Sequence, residues 1–235
     1  MTDMTGETPP IFVAEFRDRD QVTRGWRQSQ LIKISIAFLL LVCASTSNAE
    51  GPELDALLGQ LIAEYGGEEN LRKLDKQVQQ WDLVALVGTR QGTDIRRIRI
   101  PDQLAVEITY PDRQETRIVS GRTAYFLYRD APPRFATKPQ KDAMRLQLMR
   151  HYSPLVLQRK KDSLSVGEQG GYHVITLFEE GVRADYFVNG ENWRIEKVVG
   201  GLAMHGMEMQ FVTEYSDFKV HDGVLVHQKE NKFAG

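Results

Sequence analysis

The chain has 235 residues, with 30 Lys or Arg against 32 Asp or Glu and a formal net charge of −2. This mixed balance, without a basic block, excludes nucleic acid as a partner. The recurrence of strand-forming residues excludes a disordered composition, and a single cysteine, Cys43, excludes a disulfide framework.

The first element is an export segment covering residues 1–49. Its apolar run, Ile34 to Ala44, is too short for a membrane-spanning helix, which needs roughly 20 residues. The run has the length of a signal-peptide core. Arg24, Arg27 and Lys33 precede it, and Ser47 and Ala49 fit the small positions of a signal-peptidase site. More than 30 residues stand before the run, so the leader is either unusually long or starts downstream of Met1. Cys43 lies inside the run and follows the branched Val42, which disfavours lipidation. Cleavage after Ala49 would release a cysteine-free domain, 50–235, that must be held by packing alone.

Pro52 suits a first helical turn. Leu54, Leu57, Leu58, Leu61, Ile62 and Tyr65 then recur at helical spacing, and Gly66-Gly67 stops the helix. A second helix is expected from Glu68 to Gln79, with Leu71, Leu74 and Val78 inward. From Trp81 the period becomes two. Ile98 and Ile100 share a face, as do Leu104, Val106, Ile108 and Tyr110. Pro111-Asp112 turns, Thr116 to Ser120 continues the sheet, and Thr123 to Tyr128, apolar on both faces, reads as central. The short connections imply an antiparallel meander.

Pro132, Pro133 and Pro139 are expected to break the sheet. A helix follows with Met144, Leu148, Met149 and Tyr152 on one side, and Pro154 kinks it before Leu155 to Leu157. It could pack as a lid on the concave face. Strands resume at Ser163–Val166, Tyr172–Glu179, Val182–Val188, Trp193–Val199, Met207–Val220 and Val224–Lys229. Gly170-Gly171, Asn189-Gly190 and Asp222-Gly223 mark tight turns, and Gly200-Gly201 with Gly206 a looser connection between Val199 and Met207. The expected fold is α+β: an incomplete antiparallel β-barrel of about ten or eleven strands curled around two or three helices.

No nucleophile elbow, zinc-binding His-Glu-x-x-His, phosphate loop or dinucleotide fingerprint occurs. No cofactor, metal or enzymatic activity is expected. His221 and His227 fall in one hairpin, but surface or ordinary polar contacts account for them. Asp185 and Glu196 could serve glycoside chemistry, yet their alternation with Ala184, Tyr186 and Ile195 puts them on a solvent face beside Arg183 and Arg194.

Of Arg96, Arg97 and Arg99, the last two share a face with Ile95. They make either a charged solvent-facing edge or the polar spot of an apolar cleft. Val106, Ile108, Phe126, Met144, Leu148, Tyr152, Met207, Met209 and Phe211 read either as packed core or as the lining of a deformable acyl-binding cleft.

Four stretches resemble a known family. They are Ala63-Glu-Tyr-Gly-Gly67 followed by Glu69-Asn-Leu-Arg-Lys-Leu74, the strand Trp81 to Gly88, Ile108-Thr-Tyr-Pro-Asp-Arg113, and Tyr215-Ser-Asp-Phe-Lys-Val-His-Asp-Gly-Val-Leu-Val226. From Pro52 onward the chain resembles the periplasmic lipoprotein-carrier superfamily, in particular the outer-membrane lipoprotein-sorting-like proteins. Val226-His227 stands where related sequences often carry a proline, and the lipoprotein carrier's own early signature is missing. The resemblance implies an unclosed barrel lined with apolar side chains and covered by helices. It further implies a periplasmic monomer that shields an acyl chain, lipid or lipidated protein. In that carrier an early-strand arginine holds the closed cavity, but no motif assigns this role to Arg96, Arg97 or Arg99. The alternative is an envelope-sensing module with a protein partner.

Overall fold

The computed structural model describes residues 11–18, 51–85, 90–129, 131–204 and 207–234. The apolar run Ile34 to Ala44, Cys43 and the expected cleavage site at Ala49 lie outside them.

Six antiparallel strands form the first half: β2 (Lys76–Ala85), β3 (Arg90–Arg99), β4 (Gln103–Tyr110), β5 (Arg113–Ser120), β6 (Thr123–Tyr128) and β7 (Ala131–Phe135). Six more form the second: β8 (Leu164–Gln169), β9 (Tyr172–Glu179), β10 (Val182–Asn189), β11 (Ile195–Met204), β12 (Met207–His221) and β13 (Val224–Ala234). β1 (Ile11–Asp18), within the expected leader, runs parallel to both β2 and β13 and joins the halves. The strand order is β7-β6-β5-β4-β3-β2-β1-β13-β12-β11-β10-β9-β8, an α+β fold whose ends do not close into a barrel.

Among the described residues four helices accompany the sheet: α1 (Gly51–Glu64), α2 (Gly67–Leu71), α3 (Lys138–Met149) and α4 (Pro154–Arg159). The apolar stripe of α1 drives Leu54, Leu57, Leu58 and Leu61 into the main core. α3 begins with a capping box between Thr137 and Gln140 and carries a proline in its first turn, where no N–H is lost. It lies across the inner face against β4, β5 and β6 on one side and β10 and β11 on the other. Met144, Leu146, Leu148 and Met149 are buried there. The close approach is set at Gly200, where a Cβ would stand 2.3 Å from Leu146. Ser153 caps α4 by accepting from the Val156 N–H at 3.4 Å.

Several expectations are corrected. The second helix stops at Leu71. One 3₁₀ turn follows, and Lys76 already pairs with Arg99, so Val78 is an exposed strand residue. The prolines at 132 and 133 do not end the sheet but sit in β7, an exposed edge strand where a missing N–H is tolerated. β6 is therefore next to an edge, not central. β11 runs straight through Gly200-Gly201, with Gly200 paired to Phe211, so the expected looser connection does not include them, and Gly206 lies outside the described residues. The tight turns at Gly66-Gly67, Gly170-Gly171 and Gly223 do form, all at positive φ.

Candidate ligand-binding site

Alternation along β3 turns Asp94, Arg96 and Ile98 inward and leaves Arg97 and Arg99 exposed. Opposite β3, Trp81 of β2 is paired with Asp94 and faces the same way. The Arg96 guanidinium lies 4.8 Å from the centre of the Trp81 ring. It donates to Asp94 Oδ2 at 2.6 Å, and across to Glu230 of β13 at 2.9 and 3.0 Å. Lys232 Nζ binds the other side of Glu230 at 2.9 Å.

An irregularity brings His227 in as well. Along β12, Tyr215 is buried and Phe218, three residues on, also packs on the core. Between them Asp217 sits at φ 54°. On β13 the paired residues are Glu230 and His227, so both turn inward. The His227 ring stacks on Trp81 and lies 3.1 Å from Glu230 through Nε2.

Burial alone would oppose the charge on Glu230, but Arg96 and Lys232 outweigh it and hold its carboxyl well below the usual range. Burial lowers the pKa of Lys232, and Arg96 adds to the effect. His151 is pushed well below its ordinary value, first by burial and then by Arg96. Burial raises the Tyr186 and Tyr215 phenols, which stay protonated donors. Tyr186 donates to Met149 O at 2.8 Å and Tyr215 to Arg150 O at 3.1 Å. These two bonds pin the last turn of α3 against the sheet.

Two cavities flank this cluster, each of about 370 Å³, within the range of roughly 300–1,000 Å³ that small-molecule sites occupy. The first is bounded by Trp81, Tyr152, Tyr186, Val198, Tyr215 and Leu225, with His151 and His227 on its wall. Its wall includes the early residues of β2 and β13, Gln77 to Trp81 and Leu225 to His227. The second lies under α3 and is bounded by Leu83, Ile108, Leu146, Leu202, Phe211 and Phe233, with Asp94, Arg113, Arg117 and Lys232. Arg150 borders both.

Protein-family models and curated proteins offer no match to this chain. The site is therefore read from its own chemistry.

Among the residues expected to line a cavity, Tyr152 borders the first, and Ile108 and Phe211 border the second. Val106, Phe126, Met144 and Leu148 are instead packed core. Met209 is half-buried on β12 and borders neither cavity, and the Met207 side chain lies outside the described residues. Of the two readings of Arg97 and Arg99, the structure has the charged solvent-facing edge: both face outward, Arg97 beside Glu107 at 3.6 Å, and border a separate hollow with Lys76, Gln103 and Ser120, because strand parity gives the inward place to Arg96.

Asp185 accepts from Thr176 at 2.6 Å and Arg183 at 2.9 Å. For Glu196, burial works against charge, yet donation from Asn192, Asn189 and Tyr172 holds its pKa low. Arg194 pairs with Glu64 at 3.1 Å, not with Glu196. Asp185 pairs in register with Val199 and does not face Glu196.

The residues that sequence reasoning missed are Trp81 and Glu230 as partners of Arg96, together with Lys232, Arg150 and His151. The alternation Asp94-x-Arg96-x-Ile98 was the available signal for the first arginine. Nothing local marked the others.

Proposed function

We propose that this protein is a non-enzymatic carrier or binding protein that shields the apolar part of an amphiphile between its curved sheet and its helices. The observation that carries the reading is the pair of apolar-walled cavities beneath and beside α3. Each buried CH₂ of an acyl chain contributes roughly 0.8 kcal/mol, so tight retention needs no catalytic group. The unclosed sheet with inward helices is the architecture that the sequence resemblance implies, which supports membership of the lipoprotein-carrier superfamily. The export segment supports a periplasmic site of action, where lipids and lipidated proteins are at hand. The protein acts as a monomer in this reading.

A specific observation bears on the alternative, a protein-interaction module. β7 is an open edge with Phe135 70% exposed, which would suit an added strand. Of the adjacent Pro132 and Pro133, one removes a donor from that open edge and so blunts it, and this favours the amphiphile reading.

The test is native mass spectrometry of the protein as recovered from a Gram-negative host, incubated with palmitoyl amphiphiles after solvent delipidation. A mass increment that delipidation removes and a palmitoyl amphiphile restores is expected. Failure of every palmitoyl amphiphile to bind the delipidated, folded chain would overturn the proposal.

A further inference from the structure

The charges around the two cavities do not balance. Arg96 is satisfied by Asp94 and Glu230, and Lys232 by Glu230. Two carboxylates thus meet two cations, and Arg150 is a third cation with no carboxylate of its own. No ion pair to Arg150 occurs among the described residues, and its Nε is buried without a hydrogen-bond partner. Burial lowers its pKa, yet a guanidinium stays charged near neutrality. A half-buried cation with no carboxylate partner, its Nε out of water and unbonded, is costly unless something completes it.

Its position is fixed rather than accidental. Tyr215 holds the Arg150 carbonyl and Tyr186 the preceding one, so the guanidinium is presented at the junction of the two cavities. The cavities differ in kind. The first is walled mainly by aliphatic and tyrosyl surface. The second carries Arg113, Arg117 and Lys232 besides Arg150, against Asp94 as its one carboxylate. Arg117 is paired with Glu115, and Arg113 is stacked on Tyr110 at 5.5 Å. Asp94 keeps Oδ1 free of any partner. Its charge opposes an anion, but with Arg117 and Lys232 already met by Glu115 and Glu230, Arg113 and Arg150 remain as cations without a carboxylate among the described residues.

We infer that the ligand is an acidic amphiphile whose carboxylate or phosphate head rests on Arg150 in the second cavity while its acyl chain lies in the first. This rests on the amphiphile reading and narrows it. A guanidinium matches either oxyanion with paired N–H donors, so the head is defined by charge and by two or more acceptor oxygens.

The experiment is calorimetric titration of the full chain with three probes sharing a palmitoyl chain: palmitate, palmitoyl lysophosphatidate and monopalmitoylglycerol. The acidic probes bind at least about tenfold tighter than the neutral one, and their order tells carboxylate from phosphate. Arg150→Met weakens the acidic probes roughly 10–100-fold and leaves the neutral probe unchanged, whereas Arg150→Lys keeps most of the preference. Equal binding of neutral and acidic probes by the unaltered chain overturns the inference and leaves amphiphile binding standing, as does a preference that survives Arg150→Met. Binding of none overturns both. If Arg150→Met fails to fold by circular dichroism, the preference of the unaltered chain and its retention in Arg150→Lys still decide.

Discussion

Arg96 on β3 and Glu230 on β13 join the two halves of the sheet through two hydrogen bonds of 2.9 and 3.0 Å, with both side chains almost fully buried. The strands that carry them belong to different antiparallel halves, so this contact helps to set the curvature that leaves room for cavities beneath α3.

Removing one partner leaves the other charge buried and unpaired. Arg96→Met is therefore expected to destabilise the protein by about 3–5 kcal/mol, read by urea unfolding. Arg97→Ala and Arg99→Ala should each change stability by less than about 0.5 kcal/mol, because both side chains are in water. Similar effects at all three positions would refute the assignment of Arg96 as the inward arginine. Arg96→Met combined with Glu230→Gln should recover part of the loss.

Stability should fall as pH is lowered from neutrality. The unfolded chain takes a proton on His151 below about pH 6.5, while the folded chain resists it. The unfolded state then binds more protons, and stability decreases by at most about 1.4 kcal/mol per pH unit. Glu230, held low in the fold, adds stability that is present above about pH 4.3 and is lost as pH drops through its depressed value. Thermal melts across this range should show both phases, and His151→Gln should remove the upper one.

Gly66 and Gly67 both have positive φ, 105° and 85°, but their surroundings differ. A Cβ on Gly66 would stand 1.9 Å from the Gly223 carbonyl oxygen in the β12–β13 turn, whereas one on Gly67 meets open space. Gly67→Ala should cost about 1–2 kcal/mol from backbone strain. Gly66→Ala should cost about 1–3 kcal/mol more from the clash. Denaturant midpoints of the two variants compare them directly.

These features were legible in the sequence to different degrees. The α1 stripe Leu54, Leu57, Leu58, Leu61 and the strand alternation Leu104, Val106, Ile108 follow from side-chain period alone. Tight turns were readable because glycine at positive φ is a local requirement. The Pro132-Pro133 strand was not readable, since only the position of β7 at the sheet edge excuses the missing N–H groups. The charge cluster was hidden for a related reason. Arg96 and Glu230 are 134 positions apart, and the inward turn of both His227 and Glu230 depends on the irregularity at Asp217. Local pattern cannot reveal an ion pair that curvature brings together.

The leader yields its own prediction. In a Gram-negative host the chain should be recovered from the periplasm with Glu50 as its first residue, read by intact mass, so that the mature domain lacks β1 and its halves meet through contacts such as Arg96–Glu230. Recovery from the cytoplasm with residues 1–49 retained would argue against export.

The central claim, that the space between sheet and helices holds an acyl chain, is met most directly by a crystal structure of the delipidated chain soaked with palmitate. Continuous density along the wall formed by Tyr152, Tyr186 and Val198 is the expected result. A palmitate-saturated crystal with only ordered water in both cavities would contradict it.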